Sequence, residues 1–213
     1  MGKKIILIFL IGFCVTLIMF LSLVSEKKDI MIIGDSISIG KTNSEILINS
    51  YIDYFENEYQ YEISNVDKTY TLNNLTIKNV YDFIIGNDSY YGDITIKQRI
   101  NNSEIIFISL GIDELNNEAN MKVYLYYMDK VIEEIKQIKN NQIYLIGLYS
   151  SKEAILNINN SLEKIAIKYK ISYVDISVIN EEKYHIQDTN ILNENGQKYI
   201  KNQIISIYEK NNN

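Results

Sequence analysis

Ser36 is the residue whose neighbours best suit it to act as a nucleophile. It follows the run Asp29-Ile-Met-Ile-Ile-Gly34-Asp35, in which apolar, partly β-branched residues end in glycine, the pattern of a buried strand breaking into a tight turn. A serine on a sharp strand-to-helix turn exposes its hydroxyl, and the amides of the helix that follows can face an anion. Gly-Asp-Ser also serves as an ordinary turn. Its place straight after an apolar strand, however, puts it at the carboxyl end, where open parallel sheets carry their chemistry. Two more polar blocks follow in order: Gly111-Ile112-Asp113-Glu114, closing the apolar run 104–110, and Asp188 ahead of Asn193-x-x-Gly196.

The elements that must position these blocks can be read from periodicity. Residues 44–59 carry Ile46, Leu47, Ile48, Tyr51, Ile52, Tyr54 and Phe55, the spacing of a helix packed on a sheet, and Tyr61 to Ser64 suits a second strand. A helix is expected around Thr76 to Ile85, a turn near Gly86 to Gly92, and a short helical piece before Asn101. Glu104 to Leu110 reads as a buried strand. The helix after it lines Leu125, Met128, Ile132, Ile135 and Ile138 on one face. Gln142 to Leu148 and Ile171 to Ile176 read as strands, separated by an amphipathic helix bearing Ile155, Ile158, Leu162, Ile165 and Tyr169. Asn193 opens a last helix with Ile200, Ile204 and Ile207 inward, leaving Lys210 to Asn213 as a frayed tail. Five strands alternating with helices predict an α/β three-layer sandwich around a five-stranded parallel sheet with right-handed crossovers.

Composition narrows the function. The 213 residues suit one domain with an appendage. A net charge of −6, a pI near 5.0 and no lysine or arginine cluster beyond a pair exclude a nucleic-acid footprint. One cysteine, Cys14, allows no intrachain disulfide, and with a single histidine a zinc site is not expected, nor is any cofactor. Proline is absent where average usage of about 5% would give roughly ten, a bias that also accounts for the 18 tyrosines.

Lys3 and Lys4 precede an apolar segment from Ile5 to Val24, long enough to span a bilayer as one helix. A cleaved signal peptide, and hence a secreted protein, is the competing reading. Leu23-Val24-Ser25 is a poor cleavage site, so residues 1–28 are read as an uncleaved single-pass anchor and 29–210 as the domain. Lysines flank both ends (Lys3, Lys4, Lys27 and Lys28), and the extra amino terminus orients the domain outward.

The order and spacing of the three blocks resemble those of the SGNH/GDSL hydrolase family over nearly all of residues 29–208. The resemblance implies a flavodoxin-like sheet and hydrolysis or transfer of acyl groups from esters or thioesters, here of a small ester or an envelope lipid or glycan. It also implies a serine nucleophile, a base and orienting acid from one Asp-x-x-His loop, and an oxyanion held by the serine amide, a glycine amide and an asparagine side chain. Ser36 matches the nucleophile, and Asp188 the orienting acid. Gly111 and Asp113 fall in the block that contributes to the oxyanion site. Tyr70 falls near the glycine, with a backbone N–H still on offer. Asp113 replaces the asparagine. A carboxylate repels an oxyanion unless protonated, and loss of one such donor typically costs about a hundredfold to a thousandfold in rate. Ile191 replaces the histidine. Without a base Ser36 is a weak nucleophile.

Two readings follow. One is a membrane-anchored extracytoplasmic serine hydrolase with His185 recruited as base and Glu182, three residues earlier, as a possible orienting acid. The other is a degenerate member that binds or scaffolds without cutting. For His185 the plain alternative is a solvated loop residue; for Asp113 and Asp188 it is turn or helix capping. Ile191 lies six positions after His185, a reach of up to roughly 20 Å if extended. The two share a location only if the loop folds back on itself.

Overall fold

The apolar run before Ser36 forms β1 (Lys28–Gly34), an interior strand in a computed structural model that describes residues 27–40, 48–89, 92–115, 118–149, 153–186 and 191–212. The proposed membrane segment, Cys14 and Asp188 lie outside the described residues. The other strands are β2 (Ile63–Thr71), β3 (Ile105–Ser109), β4 (Gln142–Ile146) and β5 (Ser172–Val174), all parallel in the order β2-β1-β3-β4-β5. The helices are α1 (Ser36–Ile39, one turn), α2 (Tyr51–Glu58), α3 (Ile77–Gly86), α4 (Ile96–Asn102), α5 (Glu118–Ile138), α6 (Glu153–Tyr169) and α7 (Glu194–Asn212).

Alternation along each strand splits the core in two. Met31, Ile33, Ile106, Ile108 and Leu145 face α3 to α6, while Ile30, Ile32, Phe107, Tyr144 and Ile146 face α2 and α7. The sheet is therefore covered on both faces, as the continuous apolar runs of β1 and β3 require. Among the described residues no helix is long and apolar enough to cross a membrane.

Three elements differ from the expectation. Helix α2 begins at Tyr51, where Ser50 caps it, and the expected start near Ser44 lies outside the described residues: the Asp53 amide donates to Ser50 Oγ and the Ser50 amide to Asp53 Oδ2. Strand β2 runs to Thr71, well past Ser64. It is an edge strand pairing only with β1, and its exposed Asn65 and half-buried Asp67 hide it from a search for apolar runs. Helix α7 continues through Asn212 instead of fraying at Lys210, its end tied to the start of β1 by the Lys28 ammonium donating to Asn212 Oδ1 at 2.9 Å.

Candidate active site

Strand order reverses between β1 and β3, and the blocks around Ser36 and Asp113 leave the carboxyl ends of those two strands. Asp35 joins the two turns. Its amide donates to the Ser109 carbonyl at 3.0 Å, and its carboxylate, fully buried, accepts from the amides of Gly111 (3.0 Å), Ile112 (3.1 Å) and Ile37 (3.4 Å). Burial, then the nearby charge of Asp113, pushes the Asp35 carboxyl up to about 7 against the pull of those three amides. The Gly111 amide is thus committed to the scaffold. Gly111 itself has φ +123°, and a Cβ there would meet the Tyr124 ring at 2.8 Å. At Gly34 a Cβ would lie 2.2 Å from Ser38 Oγ, a hydroxyl itself bonded to the Tyr51 phenol at 2.8 Å.

The Ser36 hydroxyl donates to Asp113 Oδ1 at 2.6 Å. The other carboxylate oxygen of Asp113 accepts from the Ser36 amide and from the Asn74 amide, each at 3.2 Å. Asn74 stands in the turn after β2, which is held to β1 by the Leu72 amide donating to the Gly34 carbonyl at 3.0 Å. With φ at +56° it adopts the left-handed conformation that asparagine and glycine tolerate best. The amide that joins Ser36 from the β2 side therefore belongs to Asn74, four residues beyond Tyr70. Tyr70 is buried in the core, and its phenol donates to the Asp88 carbonyl at 3.2 Å. The adjacent pair Asn73-Asn74 was the available signal for this turn; the general abundance of asparagine concealed it. Glu114, given no role of its own in the sequence, accepts from the Ile77 amide at 2.7 Å and so fixes the start of α3, its carboxyl pushed up by burial.

The loop carrying His185 does fold back. His185 bridges Leu192 in antiparallel fashion, the Ile186 amide donates to the Ile191 carbonyl at 2.9 Å, and Asn193 Nδ2 donates to the His185 carbonyl at 2.8 Å. Asn193 also caps α7, its Oδ1 accepting from the amides of Asn195 and Gly196. The His185 ring is oriented by the Ile179 carbonyl, 2.6 Å from Nε2, rather than by Glu182. A carbonyl only accepts, so Nε2 carries a proton, and Nδ1 is buried with no hydrogen-bond partner among the described residues. The ring lies 5.5 Å from that of Tyr149, a largely buried phenol at the end of β4 pushed up by burial and by the charges of Asp35 and Asp113. Tyr149, which sequence reasoning passed over, thus touches the histidine ring and feels the charge of both acids. Its strand end is clamped by Asn159, whose side chain both accepts from the Leu148 amide and donates to its carbonyl.

No protein-family model and no curated protein matches the sequence. Solved structures do. The chain is similar to a family 3 carbohydrate esterase from Clostridium thermocellum (TM-score 0.65, 20% identity, 85% of this chain and 94% of that one). It is similar also to a catalytic mutant of an acetylxylan esterase from Geobacillus stearothermophilus (0.64, 14%, 85% and 94%). A third is a lipolytic G-D-S-L protein from Veillonella parvula (0.62, 12%, 85% and 98%). At these identities the likeness establishes the fold alone. That fold is the SGNH/GDSL hydrolase α/β fold, with Ser36 at its switch point.

Proposed function

We propose that the protein is a serine hydrolase that removes acetyl or other acyl groups from esters of envelope lipid or glycan, held to the membrane by its N-terminal segment and facing away from the cytoplasm. The observation that carries this reading is the convergence of the Ser36 and Asn74 amides, from two strand ends, on one oxygen, with the Ser36 hydroxyl on the oxygen beside it. Two amides so placed can receive the oxygen of a tetrahedral intermediate. Similar structures include mutants of one esterase named for acetylated xylan and xylo-oligosaccharides and another protein named as a carbohydrate esterase, which supports an ester of that class. Turnover should be slow, because Ile191 stands where the resemblance expects histidine. The test is acetate release from acetylated xylo-oligosaccharides and short-chain p-nitrophenyl esters by the full-length protein in detergent. Release that persists unchanged in Ser36→Ala would remove the reading.

A binding or scaffolding role is favoured by a different observation: the amide pair already holds the Asp113 carboxylate, as it would an external anion. In that case acetylated sugars bind and are recovered intact.

A further inference from the structure

We infer that Asp113 is the base that activates Ser36, an inference that rests on the hydrolase reading above. It is drawn from the direction of one proton and the length of two bonds. The Ser36 hydroxyl points its proton at Asp113 Oδ1 across 2.6 Å, the short range of a hydroxyl-to-carboxylate bond and within reach for direct transfer. The Ser36 and Asn74 amides reach Oδ2 at 3.2 Å, longer than the roughly 2.7 to 2.9 Å of a well-formed charged contact. The carboxylate is held tightly by the nucleophile and loosely by the two amides.

That asymmetry answers the objection that a carboxylate opposes an oxyanion. As Ser36 Oγ forms its bond to the acyl carbon, the carbonyl π pair moves onto oxygen and the hydroxyl proton passes to Asp113 Oδ1. The acid is then neutral, its hold on the amides weakens, its carboxyl turns off them by side-chain rotation, and the oxyanion takes the place that Oδ2 leaves on Ser36 and Asn74. When the tetrahedral intermediate collapses, the carbon–oxygen bond to the alcohol breaks and Asp113 returns the proton to the leaving oxygen. In the second half water attacks the acyl-serine, gives its proton to Asp113, and the carboxylic acid leaves as Ser36 recovers the proton. One group thus alternates as base and acid.

The experiment uses the full-length protein in detergent and an alkyl fluorophosphonate, which forms a serine O–P bond with loss of fluoride and needs the same proton removed. Asp113→Asn is expected to slow labelling about tenfold to a hundredfold, the contribution of a positioned base. The wild-type rate should level off as pH rises, whereas the Asp113→Asn rate should keep climbing with hydroxide, a change that a merely structural role would not produce. Among the described residues, Asp35 after β1 interacts by charge with Asp113, and Tyr149 after β4 feels the charge of both acids; Asp35 and Tyr149 remain in the variant. To show that the variant is folded, Asp113→Asn is combined with Ile191→His, which supplies a new base and should recover labelling. Labelling in Asp113→Asn equal to or faster than wild type overturns the inference, and so does a collapse confined to His185→Ala. A wild type that labels no faster than Ser36→Ala removes the hydrolase reading and this inference with it.

Discussion

His185 lies directly across an antiparallel bridge from Leu192, one position beyond Ile191. The only histidine therefore sits within one residue of the place where the resemblance expects it, yet directly opposed residues share a face and their neighbours take the other. With its Nε2 proton given to the Ile179 carbonyl, His185 is turned to the same side as the buried Leu192.

Ile191→His should accordingly raise Ser36-dependent fluorophosphonate labelling severalfold, and His185→Ala should cost less than Asp113→Asn does. The sharper outcome is a reversal of sign. Asp113→Asn is expected to lower labelling alone but to raise it in the Ile191→His background, where the imidazole takes the proton and an asparagine amide can serve the oxyanion. Rates for the four proteins of that cycle decide it; additive effects would show that the two positions do not share one reaction.

Asp35 makes stability depend on pH. Its carboxyl is raised from 3.8 to about 7 on folding, so between those values the native state keeps a proton that the unfolded chain has lost. Stability should then fall as pH rises through that window and level off above it, with the whole effect on the order of 4 kcal/mol at most. Urea midpoints at pH 4.5, 6 and 7.5 should decline in the wild type relative to Asp35→Asn, which lacks the ionisation. Parallel curves would mean that Asp35 ionises freely in the fold.

Asn74 should tolerate glycine and resist most other residues. Its φ of +56° strains a Cβ-bearing side chain, so Asn74→Ala should cost about 1 kcal/mol in denaturation while Asn74→Gly costs little. Both keep the backbone N–H, so labelling of Ser36 at saturating probe should stay within a few-fold in each. A large loss in Asn74→Gly would assign the work to the side chain.

The membrane reading is checked by topology. A reporter active only outside the cytoplasm, fused after Asn213, should signal, and the mature protein should retain its own N-terminal residues. A cytoplasmic signal, or a new terminus near residue 25, would reverse the orientation or the anchoring respectively.

What the sequence made legible was what local pattern dictates. The runs at Ile30–Ile33 and Ile105–Ile108 had to be central strands because an apolar run of that length needs cover on both faces, and Asn193 had to open α7 because its side chain satisfies the first amides. Strand β2 was missed beyond Ser64 because an edge strand is ordered by pairing, not by its own apolarity. Asn74 was missed because its role belongs to its backbone, fixed by a bond between Leu72 and Gly34 that no spacing announces. The proximity of His185 to the Ile191 position depended on a fold-back set by cross-loop bonds, which a count of intervening residues does not reveal.

The parallel sheet gives the molecule two poles. Lys28 begins β1 at one and Ser36 follows its end at the other, seven strand residues or about 23 Å away. If the protein is anchored as proposed, a chain leaving the bilayer near residue 24 would have only a handful of residues before Lys28, and it would hold the amino pole down and turn the crevice outward. Acyl chains buried in the same membrane would lie behind the sheet, out of reach. Esters standing a few nanometres above the lipid surface, as on a wall polymer, would lie in front of Ser36.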